Sequence, residues 1–344
     1  MPPTLHLDAA NPADLQRAAD LLRAGRLVAF ATETVYGLGA NALSADAVAQ
    51  IFTAKQRPAW DPLIVHLAAT AQLPTIVDIP RDLARRIHQL AAAFWPGPLT
   101  LLLPRNNSVP DAVTAGRELV GVRVPAHPAA QALLAAANLP IAAPSANRFG
   151  HTSPTTAQHV LADLDTRIDA VLDAGPTSIG LESTVLDPTQ TPMVLYRPGA
   201  ITTAQLTAAT GVPVHTFVPV PQTAAPASLP SPGVGIRHYA PNAQLLLTGA
   251  TPADLDHALH SAPPGHRIGV LLPTGWTLTP NGTKSPFILP WADWDDPPQL
   301  AARLFAGLRS LDDAGVEVIL APLPPPGGLH DAIRDRLQKA ARPK

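Results

Sequence analysis

The chain has 344 residues, enough for two domains or one large one. Charged residues make up 15% and the net charge is −2, which excludes a strong global field for nucleic acid or a membrane surface. Cysteine is absent, so disulfides, thiolate nucleophiles and Cys-ligated zinc are excluded as well.

The opening, "MPPTLHLDAANPADLQ", lacks a basic region followed by an apolar stretch, so no secretory signal is expected. "NPADLQRAADLLRAG" predicts a helix: Asn11 caps it, Pro12 takes its first turn and Gly25 ends it. "RLVAFAT" then predicts a strand, and "SADAVAQIFTAK" a second helix capped by Ser44. "PLIVHL", "LTLLLP", "VGVRVP", "PIAAPSA", "AVLDAG", "STVLDP" and "MVLYRP" follow as short strands, with helical segments among them. Interleaved strands and helices to about residue 210 indicate an α/β domain, assigned residues 1–210. The most apolar window, "LAAAFWPGPLTLLLP", is broken by Pro96, Gly97 and Pro98 and is too short to span a bilayer, so a soluble cytoplasmic protein is expected.

Residues 211–242 are rich in Pro, Thr and Ala and nearly free of charge before Arg237; they read as an extended linker. Beyond them, "AQLLLTG", "RIGVLLPTG", "PFILPW" and "VEVILAP" predict strands. "PQLAARLFAGLRSLDDAG" and "LHDAIRDRLQKAA" predict helices, the first with Leu300, Leu304, Leu308 and Leu311 at helical spacing. Residues 243–344 are therefore expected to form a second, smaller α/β domain.

"FATETVYGLGANA" contains a Gly-x-Gly-x-x-Ala string from Gly37 to Ala42. A dinucleotide turn needs its first glycine at the end of the strand, and here "ATETVY" intervenes. The better reading puts polar "TET" at the strand end, with Gly37 and Gly39 turning the backbone tightly beside it.

Other islands have the same character. Lys55 and Arg57 stand at a helix end, where they either complement its dipole or meet a ligand. Trp60 and Asp61 follow, before a strand carrying His66. Arg123 lies inside an apolar strand, so it requires a buried partner. "APSANRFGHTSPT" strings Ser145, Asn147, Arg148, His151, Ser153 and Thr155 along a loop; "GLESTVLD" presents Glu182, Ser183 and Thr184, and "LYRPGAIT" adds Arg197. Strand ends bearing cations and hydroxyls suit a polyanion plus a small polar molecule, such as a nucleoside triphosphate and an amino acid.

In this order, "TETVYGLGANA", "AKQRP…PLIVHL", "WPGPLTLLL", "VGVRVPAHP", "PIAAPSAN…SPT", "GLESTVLD" and "LYRPGAIT" resemble the YrdC/Sua5 family, the L-threonylcarbamoyladenylate synthases. "SPGVGIRHYAP" and the segments after it resemble the linker and C-terminal domain of the long, two-domain Sua5 type. The resemblance implies a twisted open α/β sheet with a concave cationic pocket, then a Rossmann-like domain. It implies condensation of L-threonine, bicarbonate or CO2 and ATP to L-threonylcarbamoyl-AMP and pyrophosphate. That product feeds the t6A modification of tRNA through a separate transferase.

The resemblance also implies roles by position. Lys55 and Arg57 would hold phosphates, with Mg2+ sharing that work. Arg123 would clamp the threonine carboxylate, beside Thr34, His66, Ser183 and the backbone at Ala143. Asp61, Ser145, Asn147, Ser153 and Arg197 would face the nucleotide, with backbone at Leu119 and Val234. The family usually has Asn at the position of Asp61, where an acid would repel triphosphate unless it helps hold Mg2+. Arg237, His238 and Tyr239 form a candidate lid over the pocket; alternatively the segment is only docked, Tyr239 packing and Arg237 pairing with a surface acid. An RNA-binding module remains the reading from another class, opposed by the net charge of −2.

Overall fold

The computed structural model describes residues 3–218, 228–231, 238–262, 265–279 and 285–343. These divide into two compact units. The first takes described residues within 1–149, 154–178 and 182–235; the second takes those within 150–153, 179–181 and 236–344.

The first unit runs β1 (Leu5–Asp8), α1 (Pro12–Arg23), β2 (Val28–Ala31), β3 (Tyr36–Asn41), α2 (Ala45–Lys55), β4 (Ile64–His66), α3 (Arg81–Phe94), β5 (Leu99–Pro104) and α4 (Asp111–Thr114). It continues with β6 (Leu119–Arg123), α5 (Pro128–Ala137), β7 (Ile141–Ala142), α6 (Ala157–Leu164), β8 (Ala170–Asp173), β9 (Thr184–Asp187), β10 (Met193–Arg197), α7 (Thr203–Thr210) and β11 (Val214–Thr216). The strands make one mixed sheet in the order β1-β8-β2-β3-β7-β4-β6-β5-β9-β10-β11. The expected caps are in place: Asn11 Oδ1 accepts from the Ala13 amide at 3.0 Å, and Ser44 Oγ from the Ala47 amide at 3.2 Å.

The glycine string is neither a phosphate turn nor a tight loop. Gly37 and Gly39 lie within β3, which pairs antiparallel with β2. The turn is made instead by Thr32–Val35, where Thr32 Oγ1 donates to the Val35 carbonyl at 2.7 Å. Glycine is needed in β3 for close approach: a Cβ at Gly39 would come 2.9 Å from Phe30 Cε1 and 3.0 Å from Ile141 Cγ2.

The sheet is covered on both faces. Side chains of α2, α3, α6 and α7 build the larger core with Leu38, Val65, Leu101 and Val122. On the other face, α1 and α5 cover β1, β8, β2 and β7 through Ala18, Leu22, Leu133 and Leu134. Farther along that second face, alternation along the strands brings up Ile64 and His66 of β4, Gly121 and Arg123 of β6, and Thr100 and Leu102 of β5. There Ile64, Leu102 and Val185 form a small apolar floor, with Leu119 and Tyr196 half-buried at its edge.

The second unit contains β12 (Gln244–Thr248), α8 (Pro252–Ser261), β13 (Ile268–Thr274), β14 (Phe287–Asp293), α9 (Pro297–Asp313), β15 (Val318–Pro322) and α10 (His330–Ala340). Its four strands are all parallel, in the order β12-β15-β13-β14, the pattern of a small Rossmann-like sheet. Leu300, Leu304, Leu308 and Leu311 of α9 are buried, as their spacing predicts.

The stretch expected to be a linker begins as sheet: β11 pairs parallel with β10. Farther on, the Leu229 amide donates to the Trp60 carbonyl at 2.9 Å, within the first unit. At its other end the segment is docked. Tyr239, 1% exposed and with φ of +64°, stacks on Phe305 at 5.7 Å while Arg336 lies 5.2 Å over its ring. His238 is buried beside it. This is the arrangement of the docking alternative for Tyr239; Val234 and Arg237 lie outside the described residues.

Candidate active site

Two clusters of buried polar side chains form in the first unit. The first begins with a backbone clasp. Segment 144–146 runs beside β3: the Leu38 amide donates to the Pro144 carbonyl at 2.7 Å and the Ala146 amide to the Tyr36 carbonyl at 2.8 Å. This fixes Ser145 and Asn147, whose carbonyls both accept from Lys55 Nζ at 2.5 Å. Lys55 ends α2, and Gln56 follows in the left-handed region at φ of 55°. The ammonium is thus engaged by carbonyls of the loop after β7. Burial, with Arg57 nearby, pushes the Lys55 amine well below the ordinary lysine range.

Arg57 follows the turn. Its Nε donates to the Asp61 carbonyl at 3.0 Å and its Nη2 to the Pro62 carbonyl at 2.7 Å. Nη2 also lies 2.9 Å from Asp61 Oδ2 in a pair buried on both sides. Asp61 is therefore not a bare charge facing the triphosphate; Arg57 balances it. Burial raises the Asp61 carboxyl, while Arg57, Lys55 and Arg197 pull it back. Its Oδ1 is buried with no hydrogen-bond partner. Phe149 caps the group, 6.0 Å beneath the Arg57 guanidinium and edge-on to Trp60.

The second cluster centres on Arg123, 3% exposed on β6. The partner its burial demands is Glu33, with Nη2 2.6 Å from Oε1. Nη1 donates to Thr34 Oγ1 at 2.8 Å, and Nε to the Gly97 carbonyl at 3.1 Å. Burial alone would raise the Glu33 carboxyl, but Arg123 holds it below its ordinary value. His66 lies alongside, edge-on to Phe30. Burial and the Arg123 charge push its imidazole down to about 3, so it is neutral, and its Nδ1 has no hydrogen-bond partner. Ala143 continues this wall, its amide bonded to the Ile64 carbonyl at 2.9 Å.

Ser183 stands at the far side. Its Oγ lies 2.8 Å from Thr100 Oγ1 and accepts from Arg197 Nη2 at 3.1 Å. Arg197 Nε also donates to the Ser183 carbonyl at 2.9 Å. Leu119 opens β6 at the apolar floor. Ser153 is buried in the short segment that groups with the second unit. Sequence reasoning gave Glu33 and Thr100 no role; the signal for Glu33 was present, an acid between two threonines at a strand end. Among the described residues no cluster of three His, Asp or Glu side chains could hold a metal, and no helix is long and apolar enough to cross a membrane.

Two family models together match nearly the whole chain. The Sua5–YciO–YrdC model, described as "Telomere recombination", matches residues 20–199. The chain belongs to this family. A second model, described as "Threonylcarbamoyl-AMP synthase, C-terminal domain", matches residues 201–342. The threonylcarbamoyl-AMP synthase of Bacillus subtilis is 43% identical over 96% of this chain and 94% of its own. That of Pyrococcus abyssi is 39% identical over 94% and 93%. The crystal structure of Pyrococcus abyssi Sua5 with L-threonine aligns with a TM-score of 0.85, covering 98% of this chain and 97% of that one. The two-domain Sua5 family thus accounts for the α/β sheet unit and the second α/β unit together.

Proposed function

We propose that this protein is a threonylcarbamoyl-AMP synthase, condensing L-threonine, bicarbonate or CO2 and ATP into L-threonylcarbamoyl-AMP and pyrophosphate. The observation that carries this reading is the presence in one unit of a buried polar cluster around Arg123, with Thr34, His66 and Ser183, and of the buried cations Lys55 and Arg57. Near full-length similarity to named synthases supports it.

The chemistry asks for no enzyme nucleophile, which suits a chain without cysteine. The bound threonine ammonium loses a proton, its amine adds to CO2 with loss of a second proton to give the carbamate, a carbamate oxygen attacks the α-phosphate, and pyrophosphate leaves. Catalysis is then positioning and charge neutralisation. An ammonium has three N–H bonds, and Lys55 spends two on the loop carbonyls, leaving one for a phosphate oxygen. Ser145, Asn147 and Arg197 would face the nucleotide, with the backbone at Leu119. Arg123, with Thr34, would receive the threonine carboxylate. His66 and Ser183 offer neutral polar atoms to the rest of the molecule.

Mg2+ would arrive with ATP and neutralise phosphate charge. The donor set suits that limited role: Asp61 Oδ1 is a buried carboxylate oxygen without a partner, and Mg2+ is commonly held by one or two carboxylates plus substrate phosphates. Three cations around Asp61 make it a poor site without those phosphates. The product would pass to a threonylcarbamoyl transferase acting on tRNA.

The test is pyrophosphate release with ATP and bicarbonate, with and without L-threonine. Release that requires threonine supports the reading. Equal release with valine removes the threonine assignment, because a pocket built to bind a hydroxyl rejects analogues lacking it strongly.

A further inference from the structure

Glu33 has no part in the roles assigned above, yet it is 7% exposed and bound to the central cation of the amino-acid cluster. Its placement is built in. Thr32 Oγ1 accepts from the Thr34 amide at 3.2 Å and from the Val35 amide at 3.3 Å, locking the turn that carries Glu33. The Ser178 hydroxyl donates to the Glu33 carbonyl at 3.4 Å. Arg123 is held through Nε by the Gly97 carbonyl and through Nη1 by Thr34, while Nη2 and the Glu33 carboxylate face each other as an ion pair whose atoms keep hydrogen-bonding capacity for a ligand.

The charges around this cluster sum simply. Arg123 contributes one positive charge and Glu33 one negative. His66 is neutral, and Thr34, Thr100 and Ser183 carry none. The next cation, Arg197, donates to Ser183 at the far side of the cluster and adds positive charge there, toward Asp61, Lys55 and Arg57 rather than at the Arg123–Glu33 pair. The half-buried His127 near Glu33 is held below its ordinary value by burial. A buried ion pair of this kind contributes little net stability. It does decide what can be buried beside it, because an uncompensated charge in such a place is costly.

We infer that Glu33 is a specificity-determining residue that makes the pocket select zwitterions: by neutralising Arg123 it admits a net-neutral α-amino acid and refuses the corresponding mono-anion. This rests on the reading of the pocket as an amino-acid site. A zwitterion brings a carboxylate for Arg123 and an ammonium for Glu33, leaving every buried charge matched. A hydroxy acid without the amine brings only the carboxylate, which competes with Glu33 for Arg123 and leaves one negative charge unmatched. Without the Glu33 charge the preference should fall or reverse.

The test compares binding of L-threonine with that of 3-hydroxybutyrate, which keeps the hydroxyl and carboxylate and lacks the amine. Calorimetry on the wild-type full chain should show 3-hydroxybutyrate weaker by roughly a hundredfold. In Glu33→Gln, threonine should weaken while 3-hydroxybutyrate tightens, so that their ratio falls by more than about tenfold. A merely structural role would weaken both by the same factor. The inference is overturned if the wild-type ratio is under about tenfold, or if the ratio in Glu33→Gln stays within about threefold of wild type. If Glu33→Gln does not fold, the wild-type ratio decides, with Glu33→Asp expected to retain it. Threonine that binds selectively yet supports no pyrophosphate release would remove the proposed reaction and leave the charge selection standing.

Discussion

Lys55 and Asn147 stand 92 residues apart in the chain, and the ammonium of one meets the carbonyl of the other at 2.5 Å. The bond ties the end of α2 to the loop after β7, and it fixes a cation that keeps one N–H for a phosphate. Lys55→Ala removes a charge-assisted bond of about 1.5–3 kcal/mol. Pyrophosphate release should fall by roughly ten- to a hundredfold in kcat/KM for ATP. The KM for L-threonine should change far less. Wild-type kinetics in a folded variant would reduce Lys55 to a loop staple.

Asp61→Asn tests the metal role. The substitution keeps a polar side chain beside Arg57 and removes the carboxylate. If Asp61 holds Mg2+ together with the nucleotide, the Mg2+ concentration for half-maximal pyrophosphate release should rise by about three- to tenfold. A fall in the KM for ATP at every Mg2+ concentration would mean that the acid only repels phosphate.

His66 gives a pH signature. Its folded value of about 3 lies below the ordinary 6.5. Between those values the unfolded chain binds a proton that the folded chain does not, so stability rises with pH across the window and is lost toward acid. His66→Gln should flatten that part of the profile. Denaturant midpoints from pH 4 to 7, compared between the two proteins, measure it. Parallel curves would show that the imidazole is not held neutral by burial.

Gly39→Ala should destabilise the first unit. The new methyl would meet Phe30 and Ile141 near 3 Å and the Val28 carbonyl at 3.1 Å. Overpacking of this kind costs about 1–3 kcal/mol, visible as a lowered Tm. Gly37→Ala meets Ala143 Cβ at 3.2 Å, with the Pro144 and Ala143 carbonyls at 3.7 and 3.9 Å, and should cost less. Equal losses would mean that the two glycines do not differ in the space they need.

Much of this was legible locally. Asn11, Pro12 and Ser44 announce their helices through capping chemistry that acts within a few residues. Arg123 in an apolar strand announces a buried partner, though not that the partner is Glu33, since the pair joins β6 to the turn after β2, far apart in the chain. Gly37 and Gly39 mislead because glycine looks the same in sequence whether it turns the backbone or lets another element approach. The helix at residues 252–261 was signalled by Thr251 and Asp254, which form a capping box. A search by hydrophobic period passes over it. β11 is short and mostly exposed, so no burial pattern marks it.

Gly180 carries a different consequence. It belongs to the short segment 179–181 that groups with the second unit, where a Cβ would fall 2.6 Å from Ala302 Cα, and its φ is +75°. Segment 150–153 belongs there too, held by the bond from the Ala240 amide to the Gly150 carbonyl at 2.8 Å. The second unit is therefore stitched from three stretches of sequence, two of them interior to the first. During synthesis those two emerge long before the rest of their unit, so it can be completed only after the ribosome has finished most of the chain. A gene fragment starting at residue 243 would encode a unit with pieces missing, and no single cut in the polypeptide would release it whole.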